Sequence, residues 1–406
     1  MTRWTEAALN AFRMQGDELA DEVVARLAAN LAQSGSVRTL LDSCVANDQV
    51  PDSELPTEVR AYFEKTELKL DELLESTLPG QHVFEKFGPE ILVILGCYAL
   101  PASYAATKGV KVLAATGYLG SSPTRRLGET TQMVIDVLSP GGLGPNGKGV
   151  RTAQKVRLMH ATIRHLLQKP DTDRQPWDVQ KLGVPINQED LAGTLMTFSY
   201  LVLDGLEKLG CRLTNAERQS YLATWMAVGR ILGVKDALIP ASFEEAKELT
   251  EIIQKRQTKE DPEDQNVEGR NLMAALLGMY KNSIPGDAMD FFAAGMVRFF
   301  LPNDVANRLG VPALSAIEKE VVAVAELVAR GLEGDGTEKV RSLVRRFGLD
   351  LVQALLLADR GGKRPSFSIP AKLRENWKAI EAAEPPWWVR MWEWLVGLLG
   401  QKQHRA

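Results

Sequence analysis

Apolar residues recur at three- and four-residue steps along most of the 406-residue chain, the spacing that lines one face of an α-helix. The period predicts helices over Ala20–Gln33, Glu54–Thr77, Thr124–Leu138, Thr152–Gln168, Gln188–Leu209, Asn215–Leu232, Ser242–Gln257, Val267–Lys281, Ala288–Phe300 and Ala313–Gly331. Alternating patterns that would mark strands are absent. Between the helices lie short segments such as KPDTDRQPWD and KEDPEDQN, whose Pro and Asp punctuation reads as loops. No repeat of fixed period is present, which argues against a stacked array. The expectation is an all-α fold in one large helical domain, with an N-terminal helical layer over residues 1–78, a main domain over 79–380 and a Trp-rich C-terminal helix over 381–406.

Composition narrows the partners. The formal net charge is −4 and the isoelectric point is near 5.8, and no run of Lys and Arg forms a patch, so nucleic acid is excluded as a partner. Cys44, Cys97 and Cys211 are odd in number, far apart and without C-x-x-C spacing, which speaks against a disulfide framework, a zinc site or an iron–sulfur cluster. The N-terminus is amphipathic and acidic, unlike a secretory signal. No segment reaches the ~20 apolar residues of a spanning helix, and the expected location is cytoplasmic. The C-terminal stretch EPPWWVRMWEWLVGLLG carries Trp387, Trp388, Trp392 and Trp394. It suits peripheral contact with a membrane surface and equally suits docking on the domain or a second subunit.

The glycine-rich stretch from Gly141 to Val150 invites a phosphate-loop reading, because Gly142, Gly147 and Lys148 have the required spacing. Gly149 occupies the place of the magnesium-binding Ser or Thr, and the segment before the loop reads as a helix where a strand is needed. The stretch is therefore expected to be a loop between two helices. The helix after it carries two of the chain's four histidines. At roughly 100° per residue, Val156, Met159, Ile163, Leu166 and Leu167 form one stripe expected to be buried, with His160 about 60° from its centre. Arg157 and Arg164 flank His160 on the same side, and His165 points the opposite way. Such a histidine can ligate a haem iron while the two arginines meet the propionates. It is also what a hydrogen-bonded core histidine looks like.

Several separated segments carry a resemblance. KVRLMHATIRHLL, WDVQKLGVPINQEDLAGTLMTFS and YLATWMAVGRILGV, preceded by LPASYAATKGVKVLAATGYL and RRLGETTQMVIDVL, resemble the latex clearing protein family of b-type haem rubber oxygenases and its relatives that cleave prenyl side chains, in the same order over roughly Leu92 to Val234. The resemblance implies a globin-like, haem-binding helical core. It implies that His160, within R-x-x-H-x-x-x-R-H, is the proximal ligand of a haem b iron, with Arg157, Arg164 and His165 as neighbouring cofactor-binding residues. No C-x-x-C-H occurs, so the haem would be held by ligation and packing. On the distal side the family's R-x-x-K-T falls on Arg126, Glu129 and Thr130, where the lysine is replaced by Glu129. Between Ile91 and Gly128 the chain has no Asp or Glu, so an upstream glutamate base of the family has no counterpart there, and Glu129 is the candidate acid–base group.

The implied function is oxidative cleavage of a carbon–carbon double bond by dioxygen in an apolar, isoprenoid or lipid substrate. The alternative is a haem-binding protein without turnover, a gas or redox sensor or a haem carrier. Asn187 and Asp190 read as a helix start. Trp177, Met196, Phe198 and Tyr200 read either as lining of a hydrophobic cavity or as core.

Overall fold

The computed structural model describes residues 3–31, 57–66, 71–115, 123–144, 147–169, 176–258, 266–283, 287–313, 344–351 and 373. Every regular element among them is helical: α1 Glu6–Arg13, α2 Glu18–Leu31, α3 Thr57–Thr66, α4 Asp71–Ile94, α5 Leu100–Tyr104, α6 Val110–Ala115, α7 Pro123–Leu138, α8 Lys148–Gln168, α9 Val179–Leu182, α10 Gln188–Phe198, α11 Tyr200–Lys208, α12 Asn215–Ile231, α13 Phe243–Gln257, α14 Val267–Ser283, α15 Asp287–Phe300, α16 Asn303–Arg308 and α17 over 344–351. None of the helices among the described residues is long and apolar enough to cross a membrane. The expected helix over Ala313–Gly331, all but its first residue, and the Trp-rich segment over 381–406 lie outside the described residues.

The centre of the fold is α4, whose Val83, Phe84, Phe87, Ile91, Leu92, Val93 and Ile94 are all buried. From Phe87 to Ile94 every residue is buried, Glu90 included, so this part has no amphipathic period to betray it. At Gly88-Pro89 the helical ladder is interrupted and Phe87 leaves helical geometry (φ −125°, ψ 20°), as a proline without an amide N–H requires. A π-helical turn, Leu95–Ala99, then leads into α5. Because α4 runs unbroken through residue 78, the boundary expected between 78 and 79 falls inside a helix. The expected helix over Gln188–Leu209 is also two helices. It breaks at Ser199 (φ −102°, ψ −78°), whose hydroxyl donates back to the Leu195 carbonyl at 2.8 Å.

The N-terminal helices pack on the main body. The indole N–H of buried Trp4 donates to the Ala237 carbonyl at 2.8 Å. Arg13, at the end of α1, pairs with Asp190 of α10 at 3.0 Å, and Arg256 of α13 meets Glu189 at 3.1 Å. Gln257 donates to both carboxylates. A second apolar core joins Ala20, Val24 and Leu27 of α2, Val59, Tyr62 and Phe63 of α3, and Leu158 and Ala161 of α8.

The glycine-rich stretch is the turn of a helical hairpin. The amides of Gly142, Gly144, Gly147 and Val150 donate to the carbonyls of Ser139, Gly141, Gly144 and Gly142, so these groups are spent within the turn. The Thr152 hydroxyl then ties α8 to Asp136 of α7 at 2.9 Å. At Gly149 the two helices nearly touch: a Cβ there would stand 2.7 Å from the Val137 Cα and 2.8 Å from the carbonyl oxygens of Asp136 and Gly142.

Gly149→Ala is expected to force this backbone contact apart and to lower the unfolding free energy by about 1–3 kcal/mol, measured by urea denaturation. A variant as stable as the wild type would mean that the hairpin adjusts freely. Burial pushes the Glu189 carboxyl up to about 7 against the charge of Arg13, with Asp190 adding to the rise. The folded chain thus holds this proton more tightly than the unfolded one. That stabilisation is complete below the ordinary glutamate range and is lost as pH rises toward 7. Glu189→Gln, a mimic of the protonated acid, should therefore gain stability relative to wild type as pH rises from about 5 to about 7, by a few kcal/mol in order of magnitude. A stability difference that stays constant over this interval would refute the assignment.

Candidate functional site

Helix α8 has two unlike flanks. Ala153, Gln154, Arg157, Leu158, Ala161, Thr162, Arg164 and Leu167 are buried, whereas Val156, Met159, His160, Ile163 and Leu166 are half-buried. The stripe expected to face the core is therefore, Leu167 apart, the less buried flank. The side carrying the arginines is the one covered, by α2 and α3. Periodicity marked the apolar residues correctly but could not reveal that a charged flank would be buried by acidic partners from elsewhere in the chain. His165 is also half-buried. Burial lowers its pKa, with help from the charge of Lys169 and against that of Asp21.

Both arginines are committed to the protein. Arg157 donates from Nη2 to Asp17 Oδ1 at 2.7 Å and from Nε to Asp17 Oδ2, while its Nη1 reaches the Ile231 carbonyl at 3.3 Å. Burial opposes the Arg157 charge, but hydrogen bonding to Asp17 and the charge of that carboxylate outweigh it and raise the pKa. Arg164, 2% exposed, donates from Nε to Asp21 at 2.8 and 3.0 Å and from Nη1 to the Ile186 and Pro185 carbonyls at 2.7 and 3.2 Å. The expectation is that these guanidinium groups meet propionates; the carboxylates they meet in this structure are Asp17 and Asp21 of the chain itself. The two aspartates were missed because 140 and 143 residues separate them from their partners. Their one signal in the sequence is their i,i+4 spacing, which puts two acids on one face of a helix start.

The helix paired with α8 in the hairpin is α7. Glu129 and Thr130 are half-buried, and Met133, Val134 and Val137 are buried. Arg126 lies in the first turns of the same helix, and its side chain is outside the described ones. From the contact of Gly149 with Val137, His160 lies eleven residues along α8 and Arg126 eleven residues back along α7. At 1.5 Å per residue both stand about 16 Å from the turn. Arg126, Glu129 and Thr130 are therefore at the axial level of residues 156–160.

Around this pair the remaining residues singled out in the sequence are structural. Asn187 caps α10 by accepting the Asp190 amide at 3.0 Å, and Trp177 donates to the Gly183 carbonyl at 2.8 Å. Met196 is 1% exposed. Phe198 stacks on Trp225 and Tyr200 lies against Phe243, each with ring centroids 5.1 Å apart. These three belong to the core. Among the described residues, no group of three or more His, Cys, Asp or Glu gathers as a bare metal ion would need.

Comparison with known proteins gives this arrangement a context. The family model described as the catalytic domain of ER-bound oxygenase mpaB/B′/Rubber oxygenase matches residues 90–331. The chain is 25% identical over 320 residues to the rubber oxygenase of Streptomyces sp. (strain K30), covering 78% of this chain and 76% of that one. Its fold is similar to that of latex clearing protein in the closed state, with a TM-score of 0.67 and 23% identity over 88% of this chain and 94% of that one. The match to the catalytic domain begins near the end of α4 and takes in α7, α8 and α10 through α16, leaving α1 to α3 outside it. With more than half of its length matched, the chain belongs to the mpaB/rubber oxygenase family.

Proposed function

We propose that the chain is a haem b oxygenase that uses dioxygen to cleave a carbon–carbon double bond in an apolar, isoprenoid-like substrate. The observation that carries this reading is His160 on the half-buried apolar flank of α8, at the level of Arg126, Glu129 and Thr130 on α7. The donor set fits a haem better than a bare ion. A macrocycle supplies four of the iron's ligands itself, so one imidazole and apolar walls suffice from the protein, and His160 with Val156, Met159 and Ile163 offers both. When bound, haem b supplies dioxygen activation.

The chain's own residues then have separable tasks. His160 would hold the iron through a ring nitrogen. Val156, Met159 and Ile163 keep water from one wall and give an apolar substrate a surface to enter. In the overall reaction the double bond is broken and each of its carbons takes one oxygen atom as a carbonyl, so no net proton or external electron is consumed. A proton can still be taken up and returned within the cycle, and the Glu129 carboxylate would hold it. The hydroxyl of Thr130 and the cationic group of Arg126 would add polarity on the same side. The resemblance puts a lysine where Glu129 stands, and this replacement favours a second reading, a haem-binding protein without turnover.

Purified chain is expected to carry one haem b. His160→Ala should abolish stable retention while His165→Ala only weakens it, since His165 lies within electrostatic reach of Asp21 on the far flank. Equal haem content in wild type and His160→Ala, read from the absorption spectrum, would overturn the assignment. Incubation with a panel of prenyl lipids under oxygen should yield carbonyl fragments. Glu129→Gln should slow their formation by roughly 10²–10⁴-fold at unchanged haem content. Haem without products in the wild type would favour the second reading, and an undiminished Glu129→Gln rate would move the proton-holding role elsewhere.

A further inference from the structure

The two arginines that bracket His160 face away from the proposed substrate side and into a helix that the catalytic-domain match does not include. We propose that Asp17 and Asp21 at the start of α2 are positioning residues for His160, fixing through Arg157 and Arg164 the rotation and depth of α8. This rests on the reading of His160 as the axial ligand. Arg157 precedes His160 by three residues and Arg164 follows it by four, so the turn bearing the histidine is gripped on both sides. Each grip has a carboxylate and a backbone part. Arg157 is held between Asp17 and the last residue of α12, Ile231; Arg164 is held between Asp21 and the approach to α10 at Pro185 and Ile186.

The two grips are also joined to each other. The Gln188 side-chain amide donates to the Gly16 carbonyl at 2.8 Å and to the Gly233 carbonyl at 3.0 Å. The Asp17 amide donates to the Asp21 carboxylate at 3.1 Å. Gly233 has φ +84°, and a Cβ there would stand 2.5 Å from Asp17 Oδ2 and 2.6 Å from Arg157 Nε, so only glycine lets the pair close beneath the turn. A planar guanidinium gripping a carboxylate with two N–H groups fixes direction as well as distance. Sliding or rotating α8 by a fraction of a turn would break both grips at once. Their purpose is more than docking. Leu158 and Ala161 already pack on Ala20, Val24 and Leu27, and apolar contacts of that kind are non-directional and leave rotation of α8 open.

The test uses the full-length holoprotein in five forms: wild type, Asp17→Asn, Asp21→Asn, the charge-retaining Asp17→Glu, and Val24→Ala, which loosens the same helix contact without touching a charge. Haem transfer to apomyoglobin and the iron–histidine stretching frequency of the ferrous state are measured beside the thermal midpoint. Loss of a group orienting a metal's histidine typically weakens the metal site by 10–100-fold. The two Asn variants should release haem faster by about that factor and should shift or broaden the iron–histidine band. Asp17→Glu should restore much of both, and Val24→Ala should lower the thermal midpoint with the band unmoved. Asn variants that hold haem and show the wild-type band would overturn the positioning role, as would a band shift of equal size in Val24→Ala. If His160→Ala retains the same haem and band as wild type, it is the reading of His160 as ligand that fails, and this inference falls with it. Asp21, with a side chain 35% exposed, gives the milder variant should Asp17→Asn not fold.

Discussion

Two guanidinium groups withdrawn from water on one helix constrain much of what surrounds them. An unpaired buried cation costs several kcal/mol even after the protein relaxes, so the Arg157 and Arg164 flank of α8 can be covered only where anions accompany it. Asp17 and Asp21 meet that need. Once they do, the direction of α2 is set, its Ala20, Val24 and Leu27 fall on Leu158 and Ala161, and α3 completes the second core. The donors left over reach Ile231, Pro185 and Ile186, which fixes the end of α12 and the entry to α10. The other flank of α8, with Val156, Met159, His160 and Ile163, stays half-buried. A charged flank is thus the packed one, and the apolar flank is the less covered one.

What the sequence disclosed follows from the range over which each signal acts. Amphipathic helices such as α13, with Ala246, Leu249, Ile253 and Gln257 buried along one face and the Ser242 hydroxyl capping its start, are legible because their period and caps are local. The last part of α4, from Phe87 to Ile94, is not, since a segment buried all round has no polar face and Pro89 interrupts what period remains. The break at Ser199 is equally hidden, for nothing beside it is a glycine or proline. In the candidate site, the spacing R-x-x-H-x-x-x-R-H singled out one turn of α8. It was silent on which way the arginines point, because their partners are 140 and 143 residues distant. NQED held more than its helix-start reading: Asn187 and Asp190 do cap α10, and Glu189 beside them is a buried acid raised to about 7.

Family membership and the identity of one residue pull in different directions on α7. A lysine amine can donate an electron pair to a metal, whereas a carboxylate such as that of Glu129 can exchange protons. The two residues suit different uses of the same wall. Buried Met133, Val134 and Val137 back the turn that carries Glu129 and Thr130.

The tight turn between α7 and α8 makes the pair a lever. The helices are pinned at Gly149 and Val137, and the residues of interest sit about 16 Å out along both arms. With arms of that length, a change of about 4° in the angle at the turn displaces the far ends by about 1 Å. A misplacement of that size can cost an enzyme about 10²-fold in rate. The missing side chain at Gly149 therefore matters beyond the turn itself: the spacing of α7 and α8 at the level of His160 depends on how closely two backbones approach at the opposite end of the hairpin.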